Sequence, residues 1–391
     1  MGFDRAAILA RTDLHGLELC HALANATDEW LRELFDLAVA MMPPAGKVAL
    51  VSVGGYGRGE LAPFSDLDVL LLHDGVKDIE EFASLIWYPI WDAGLKLGHA
   101  VRTVDQTAKL AAEDLDTATG ILTARHISGD RDLTTKLADT ARSNWTDPKR
   151  KWLRRLHERI IDRQKKAGEV AFLLEPDLKE GMGGLRDIHA IGWAISGGLV
   201  LSAEDSVALA THNEMLTRAR VALHRVTGHA GDVLRLEDQD AVSVVLGCSD
   251  ADALMAEIAA AGRSVMWITD EAWALLDPPA IRGTQLLAPS VEMVDGFVCL
   301  GEDANPAEDP TLLLRVATAA ARHEVRIKRD TLTRLAADTP HWPDPWLAGA
   351  SDDLIALLLE GRKAIPVLEA LDHHDLITRV LPEWAAVRSR P

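Results

Sequence analysis

Cysteine, basic charge and long apolar runs are all scarce in this chain. Three cysteines in 391 residues, Cys20, Cys248 and Cys299, stand far apart without any C-x-x-C spacing. That excludes a disulfide scaffold and a thiolate zinc site, and reads as three reduced thiols. Lysine and arginine number 41 against 60 aspartates and glutamates, a formal net charge of −19. A protein that follows a long nucleic acid needs a basic track along the backbone, so that class is set aside. No apolar run reaches the roughly 20 residues of a membrane span. The longest, IHAIGWAISGGLVL (Ile188–Leu201), also holds His189 and reads as a buried helix broken at Gly197 and Gly198. The opening MGFDRAAILARTD carries Asp4 and Arg5 and has no apolar core of the signal-peptide kind. The expectation is a cytoplasmic chain without nucleic-acid or membrane partners, suited to a small anionic substrate held through a metal, or to a protein partner.

What the chain does have is 48% hydrophobic residues, enough for a sizeable core over two or three domains. From Leu17 to Met42, Leu31, Leu34, Phe35, Ala38 and Val39 form a helical apolar stripe that Pro43-Pro44 ends. KVALVSV (Lys47–Val53), DVLLLH (Asp68–His73) and HAVRTV (His99–Val104) read as strands. DIEEFASLIWYPIWDAG (Asp78–Gly94) reads as a helix that contains Pro89 and is capped by Gly94. KWLRRLHERIIDRQKK begins a region of helical periodicity that runs to about residue 277. A strand is expected over Val291–Leu300, with helices over Pro310–Arg322 and Asp352–Leu371. There are no internal repeats or low-complexity tracts.

The stretch VGGYGRGELAPFSDLDVLLLH (Val53–His73) carries the chemistry. Side chains at i and i+2 of a strand share a face, about 6–7 Å apart. Asp66 and Asp68 therefore converge on one point while Leu67 turns away. Hard carboxylate oxygens held so suit Mg²⁺, which shares the rest of its shell with water and phosphate. Gly54 and Gly55 allow a phosphate close to the backbone, because no Cβ stands in the way. Arg58 and Ser65 are near enough in sequence to reach a polyphosphate. A lone D-x-D or G-G is common, but strand, G-G, about ten residues, D-x-D and apolar strand together form the signature of the polymerase-β-like nucleotidyltransferase fold. The expected class is α+β: a small mixed sheet with helices, followed by a mainly α-helical region. The expected segments are an N-terminal helical one (1–43), a nucleotidyltransferase domain (44–145), a helical domain (146–285) and a mainly helical C-terminal segment (286–391).

GGYGRGELAPFSDLDVLLL resembles the nucleotidyltransferase domain of the PII uridylyltransferase/uridylyl-removing enzyme family. LEPDLKEGMGGLRDIH (Leu174–His189) is similar to that family's L-E-P-x-x-K-x-G-x-G-G-L-R-D segment. Weaker agreement runs through ARVALHRVTGHAGDVLRLEDQ (Ala219–Gln239) to ALDHHDLITRVLPEW. The second motif reads physically as a glycine-rich loop with Gly183 and Gly184, flanked by the cations Lys179 and Arg186, or as a tight turn with structural glycines. The resemblance implies transfer of UMP from UTP to a tyrosine of the PII nitrogen-signalling protein, with Mg²⁺, of which two ions are expected, held by Asp66 and Asp68. Some relatives use ATP, and the Lys-poor texture suits the high-GC genomes where they occur, so the base stays open. A non-catalytic PII- or nucleotide-binding module and a small-molecule nucleotidyltransferase are the competing readings.

Two departures stand out. The family continues into a hydrolase and two glutamine-sensing domains, whereas this sequence stops at Pro391, so nucleotide removal and glutamine sensing are not expected of it. Asp372-His373-His374-Asp375 lacks the further ligands of such a hydrolase and reads as an exposed helix end. The expected third strand, LGHAVRT (Leu97–Thr103), carries no third carboxylate. Asp114 or Asp116 stands as the alternative source, or both simply begin helices. His99 and Arg102 would face opposite sides of that strand, with Arg102 either reaching a phosphate or forming an ion pair.

Overall fold

The structure, a computed structural model, describes residues 5–146 and 151–388. Asp4, used in reading the N-terminus, lies outside them, as do residues 147–150 and 389–391 at the edges of two expected segments. The described residues form two compact units, one running to Ala272 and the other from Trp273.

The first unit opens with α1 (Arg5–Leu9) and α2 (Gly16–Met41). α2 buries Leu19, Leu23, Leu31, Phe35 and Ala38 at helical spacing. Then come β1 (Val48–Ser52), a single helical turn α3 (Gly54–Gly57), β2 (Leu67–His73), α4 (Ile79–Asp92), β3 (Leu97–Arg102), α5 (Val104–Glu113), α6 (Leu115–Leu122), β4 (Arg125–Gly129) and α7 (Arg131–Trp145). The strands make one sheet in the order β3-β2-β1-β4, with β2 and β3 parallel and the other pairs antiparallel. This is the small mixed sheet with helices that the sequence implies. β4 is an addition, because its five residues bury only Ile127 and show no clear alternation.

Strand parity sets the site. Leu67, Val69 and Leu71 of β2 join the core that contains α2 and α4 residues, including an edge-to-face contact of Phe35 with Phe82 at 5.7 Å. Asp68, Leu70 and Leu72 therefore stand on the opposite face of the sheet. The helical region follows: α8 (Lys151–Ala167), a long loop, α9 (Leu185–Ser196), α10 (Ala203–Thr227), α11 (Leu236–Leu246) and α12 (Ala251–Ala274). Its own core gathers Val170, Leu178, Leu185, Leu216, Leu223 and Ile258. α9 stops at Gly197, with Gly198 at φ 98°, as its glycine pair implies. α10 ties this region to the sheet region: His224 Nδ1 bonds the Pro63 carbonyl, and Arg225 Nη1 donates to the Leu14 carbonyl at 2.9 Å.

In the second unit β5 (Thr284–Ala288), β6 (Val291–Val294) and β7 (Phe297–Leu300) form an antiparallel meander. The single strand expected over Val291–Leu300 is thus a hairpin. Asp295 at φ 50° and Gly296 at φ 84° supply the two left-handed residues of a tight turn. α13 (Leu312–His323), α14 (Arg329–Asp338), α15 (Ala350–Leu359), α16 (Ile365–His373), α17 (Ile377–Val380) and α18 (Trp384–Val387) complete the unit. The helix expected over Asp352–Leu371 is interrupted, since Gly361 at φ 60° starts a 3₁₀ turn before Pro366 opens α16. Asp372 is not exposed, contrary to expectation. It accepts from Trp384 Nε1 at 2.8 Å and pairs with Arg388 at 3.1 Å, joining α16 to α18.

One buried polar group braces the glycine turn. Asp28 of α2, 3% exposed, accepts from the Tyr56 hydroxyl at 2.6 Å and from Arg125 of β4. Arg125 also lies over the Tyr56 ring, 5.4 Å from its centroid. Burial and the adjacent Asp28 raise the Tyr56 phenol above its ordinary range, so it stays protonated and donates. Removing the shared acceptor strands a buried hydroxyl and a half-buried guanidinium. Asp28→Ala is therefore expected to destabilise the first unit by about 3 kcal/mol, and Tyr56→Phe by about 1.5 kcal/mol. Urea unfolding of the full chain checks both; losses below about 0.5 kcal/mol would reject the bracing role.

Candidate active site

Asp66 immediately precedes β2 and Asp68 is its second residue, with buried Leu67 between them facing the core. Asp66 is exposed and Asp68 half-buried. Asp68 is held between two glycines. A Cβ on Gly54 would lie 3.3 Å from Asp68 Oδ2, and one on Gly98 would collide with Oδ1. Gly54 also sits at φ 60°, which favours glycine on its own account. Gly98 is the residue of β3 paired with Asp68. A third carboxylate at that position is therefore sterically excluded, because the Asp68 side chain already fills the space.

Burial, and then the like charge of Asp66, raise the Asp68 carboxyl above its ordinary value, while Lys179 and Arg186 pull it down. A divalent cation would relieve this repulsion. Two hard carboxylate oxygens suit a hard cation that keeps other ligands; among the described residues no group of three or more His, Cys, Asp or Glu side chains converges. Two carboxylates leave the rest of the shell to substrate oxygens and water.

The carboxylates open onto a cleft of about 850 Å³ between the sheet region and α8–α10. Eight lysines and arginines and seven aspartates and glutamates line it. In a chain with 41 basic and 60 acidic residues, the cleft is thus enriched in positive charge. Gly54, Gly55, Arg58, Ser65, Lys179 and Arg186 all line it. Gly54 and Gly55 begin α3, where the first backbone amides of a helical turn lack intrahelical acceptors.

Arg58, Lys179, Arg186 and Arg220 are each oriented by an acid. Arg58 Nε donates to Glu60 Oε2 at 2.6 Å, and its Nη2 lies 3.3 Å from His189 Nδ1. His189 Nε2 stands 3.1 Å from the same Glu60 oxygen. Burial, reinforced by Arg58, pushes the His189 imidazole down to about 4, so it is neutral at pH 7. Against its own burial, Glu60 is brought down to about 2 by His189 and Arg58. Arg186 pairs with Glu180 at 3.1 Å and Lys179 with Asp232 at 3.4 Å. Asp232 also takes Arg220 Nε at 2.6 Å, and Arg220 Nη2 reaches Ser65 Oγ at 3.4 Å.

Gly183 and Gly184 stand apart, outside the cleft lining. The Gly183 amide donates to Asp187 Oδ2 at 2.7 Å and the Gly184 amide to the Gly181 carbonyl at 2.9 Å. At Gly183 a Cβ would collide with the Gly262 carbonyl of α12. Their amides thus serve the loop itself. Asp114 caps α6, accepting from the Thr117 amide at 2.7 Å, and does not line the cleft. Asp116 does line it, paired with Arg159 at 3.2 Å. His99 joins Trp87 and Trp91, each 5.5 Å away between ring centroids, and neither His99 nor Arg102 lines the cleft.

The sequence reading missed Glu60, Gly98, Arg220 and Asp232, and gave His189 no role. Glu60 and His189 lie inside the two motif stretches and Arg220 and Asp232 inside the weaker one, so their segments were marked although their contacts were not.

Comparison with known proteins finds two family matches in the first unit. Residues 5–88 match DUF294, a nucleotidyltransferase family, and residues 150–273 match the GlnD PII-uridylyltransferase family. The bifunctional uridylyltransferase/uridylyl-removing enzyme of Streptomyces coelicolor is 40% identical over 395 residues, covering 95% of this chain and 46% of that protein. Its Mycobacterium tuberculosis counterpart is 39% identical over 366 residues, 89% of this chain and 45% of that protein. That of Caulobacter vibrioides is 28% identical over 425 residues, 95% and 44%. The chain thus spans about half the length of the curated relatives it matches.

Because the folded state holds Asp68 above its ordinary value, ionised Asp68 lowers stability at neutral pH, and the cost disappears as pH falls and the group protonates. Asp68→Asn is expected to raise the melting temperature of the metal-free chain at pH 7 and to leave it unchanged near pH 3. Added Mg²⁺ should stabilise the parent chain and not the variant. A variant less stable than the parent in chelator would contradict the like-charge account.

Proposed function

We propose that this chain, as a member of the PII uridylyltransferase/uridylyl-removing enzyme family, transfers a nucleoside monophosphate from UTP or ATP to a tyrosine of a PII protein and releases pyrophosphate. The observation that carries the reading is Asp68 standing between Gly54 and Gly98 beside Asp66, facing Lys179 and Arg186 across the cleft. That is a seat for a triphosphate: a glycine turn, two carboxylates on one side and cations on the other.

Asp66 and Asp68 would hold Mg²⁺, which when bound supplies positive charge against the triphosphate. The chain's own residues do the rest. Gly54 and Gly55 let the phosphates approach the start of α3. Arg58, oriented by Glu60 and His189, and Arg220, oriented by Asp232, present fixed guanidinium groups to phosphate oxygens. Neutral His189 orients Arg58 without adding a second charge beside it. Trp193 lines the cleft and offers an aromatic face to a base. Nothing about that face distinguishes uracil from adenine.

In the transfer, the phenol oxygen bonds to the α-phosphorus while the α–β bridging oxygen leaves with pyrophosphate, and the phenol proton passes to water. A tyrosine phenol has a pKa of about 10, so it calls for activation. Glu60, Glu180 and Asp232 are each held by basic partners, and Asp116 by Arg159. Barrier lowering then rests on in-line positioning and on neutralising the leaving pyrophosphate.

Asp66→Asn and Asp68→Asn are each expected to lower transfer at least about 100-fold while the fold is retained. The assay is intact mass of a PII protein after incubation with UTP or ATP and Mg²⁺. A gain of a uridylyl or adenylyl group identifies class and base together. Retained turnover in either variant overturns the site assignment, and no gain with the parent chain favours a PII- or nucleotide-binding module.

A further inference from the structure

β3 is an edge strand whose far side makes no backbone hydrogen bond to any described strand. Sheets commonly blunt such edges with proline, bulges or short length. β4, at the opposite edge, is blunted: its register against β1 shifts between Leu50 and Val51. β3 has no such protection. It pairs with β2 in unbroken register from Leu97 to Arg102 and contains no proline. The end of this open edge lies at the catalytic carboxylates, because Gly98 is the partner of Asp68 and the Asp68 carboxylate occupies the space above it. Gly98 and His99 are exposed.

We propose that the open edge of β3 takes an extended segment of the acceptor protein as a fifth strand, setting its tyrosine opposite Gly98 and beside Asp68. The inference rests on the transfer reading above and names how that acceptor docks. Strand addition supplies main-chain hydrogen bonds for affinity and leaves alternate side chains to decide specificity. A residue opposite Gly98 on the added strand lies two strand spacings from Asp68, about 9.6 Å. A tyrosine, with its hydroxyl at the far end of a ring, bridges that distance, whereas a serine or threonine hydroxyl stops short. Only glycine at position 98 leaves the path between them clear.

Parity sets the neighbours. Residues flanking the tyrosine would turn to the other face of the sheet, where α4 lies against His99. There Trp91 packs edge-on against His99 and Tyr88, at 5.5 Å from each, and both Trp91 (43%) and Tyr88 (61%) stay exposed. This aromatic shelf is continuous with the strand edge, lies outside the cleft, and suits apolar flanking residues.

Two measurements on the full chain with a purified PII protein test the proposal. In the Asp68→Asn chain, where transfer is expected to be slow enough to observe the bound state, PII should slow amide hydrogen exchange over residues 97–102. In otherwise unaltered chain, Trp91→Ala should raise the KM for PII at least about tenfold, with kcat and the nucleotide KM unchanged. Transfer by the parent chain, with exchange over 97–102 unaffected and the Trp91→Ala KM unchanged, overturns the docking proposal alone. Slowed exchange without transfer from UTP or ATP keeps the docking surface and overturns the reaction assigned to it. Neither transfer nor slowed exchange overturns both.

Discussion

Everything at the site depends on a space that two glycines keep empty. Asp68 is anchored by a strand whose inward residues, Leu67, Val69 and Leu71, lie in the core. Its carboxylate occupies the space that a side chain on Gly98 would take, and a Cβ on Gly54 would press on it at 3.3 Å. The strand makes the position stiff, and the glycines make it accessible. The result is two like charges near one another with one of them half-buried, an arrangement that raises the Asp68 carboxyl and that a cation relieves. Stability has been given up at one point to hold charge where chemistry calls for it.

The same logic extends outward through paired acids and bases. In a chain of net charge −19, an anionic substrate is repelled by the molecule as a whole and attracted by the cleft. Arg58, Lys179, Arg186 and Arg220 create that local field, and Glu60, Glu180 and Asp232 hold each in place. Oriented cations lose less freedom on binding than loose ones, so contacts they made to an anion would count for more. α10, which supplies one wall of the cleft, is fastened to the loop before the carboxylates through His224 on the Pro63 carbonyl and Arg220 on Ser65. On the other side of the glycine turn, Asp28 fastens Tyr56 and Arg125. The turn is thus braced from two directions by groups far away in sequence.

What the sequence disclosed, and what it hid, follows from how far each determinant reaches. Asp66, Asp68 and the glycine turn were legible because strand parity and the absence of a Cβ are local properties. The missing third carboxylate was legible as a gap in LGHAVRT; its cause was not, since it lies in cross-strand pairing with Asp68. Gly183 and Gly184 left two readings open, a glycine-rich loop beside cations or a tight structural turn, because both rest on the same local properties. The deciding neighbour for Gly183 is the carbonyl of Gly262, on a helix whose packing no local pattern announces. Asp114 and Asp116 are two residues apart, yet one caps a helix and the other faces the cleft, a difference made by helix register alone. The Asp295-Gly296 turn is the opposite case: its signal is local, and reading Val291–Leu300 as one strand passed over it.

The glycine that removes the third carboxylate also opens the edge. A carboxylate on β3 beside Asp68 would add negative charge to a pair that already repels, and would stand between the carboxylates and anything docked along the strand. Glycine there exchanges a potential base for access. That exchange suits a phenol acceptor better than an aliphatic alcohol, because a phenol is far the more acidic and loses its proton with less help. It also suits a macromolecular acceptor, since a protein segment held along a strand brings its own positioning. Two features far apart in kind, a carboxylate absent from one strand and an exposed aromatic pair on the preceding helix, meet on the two faces of β3.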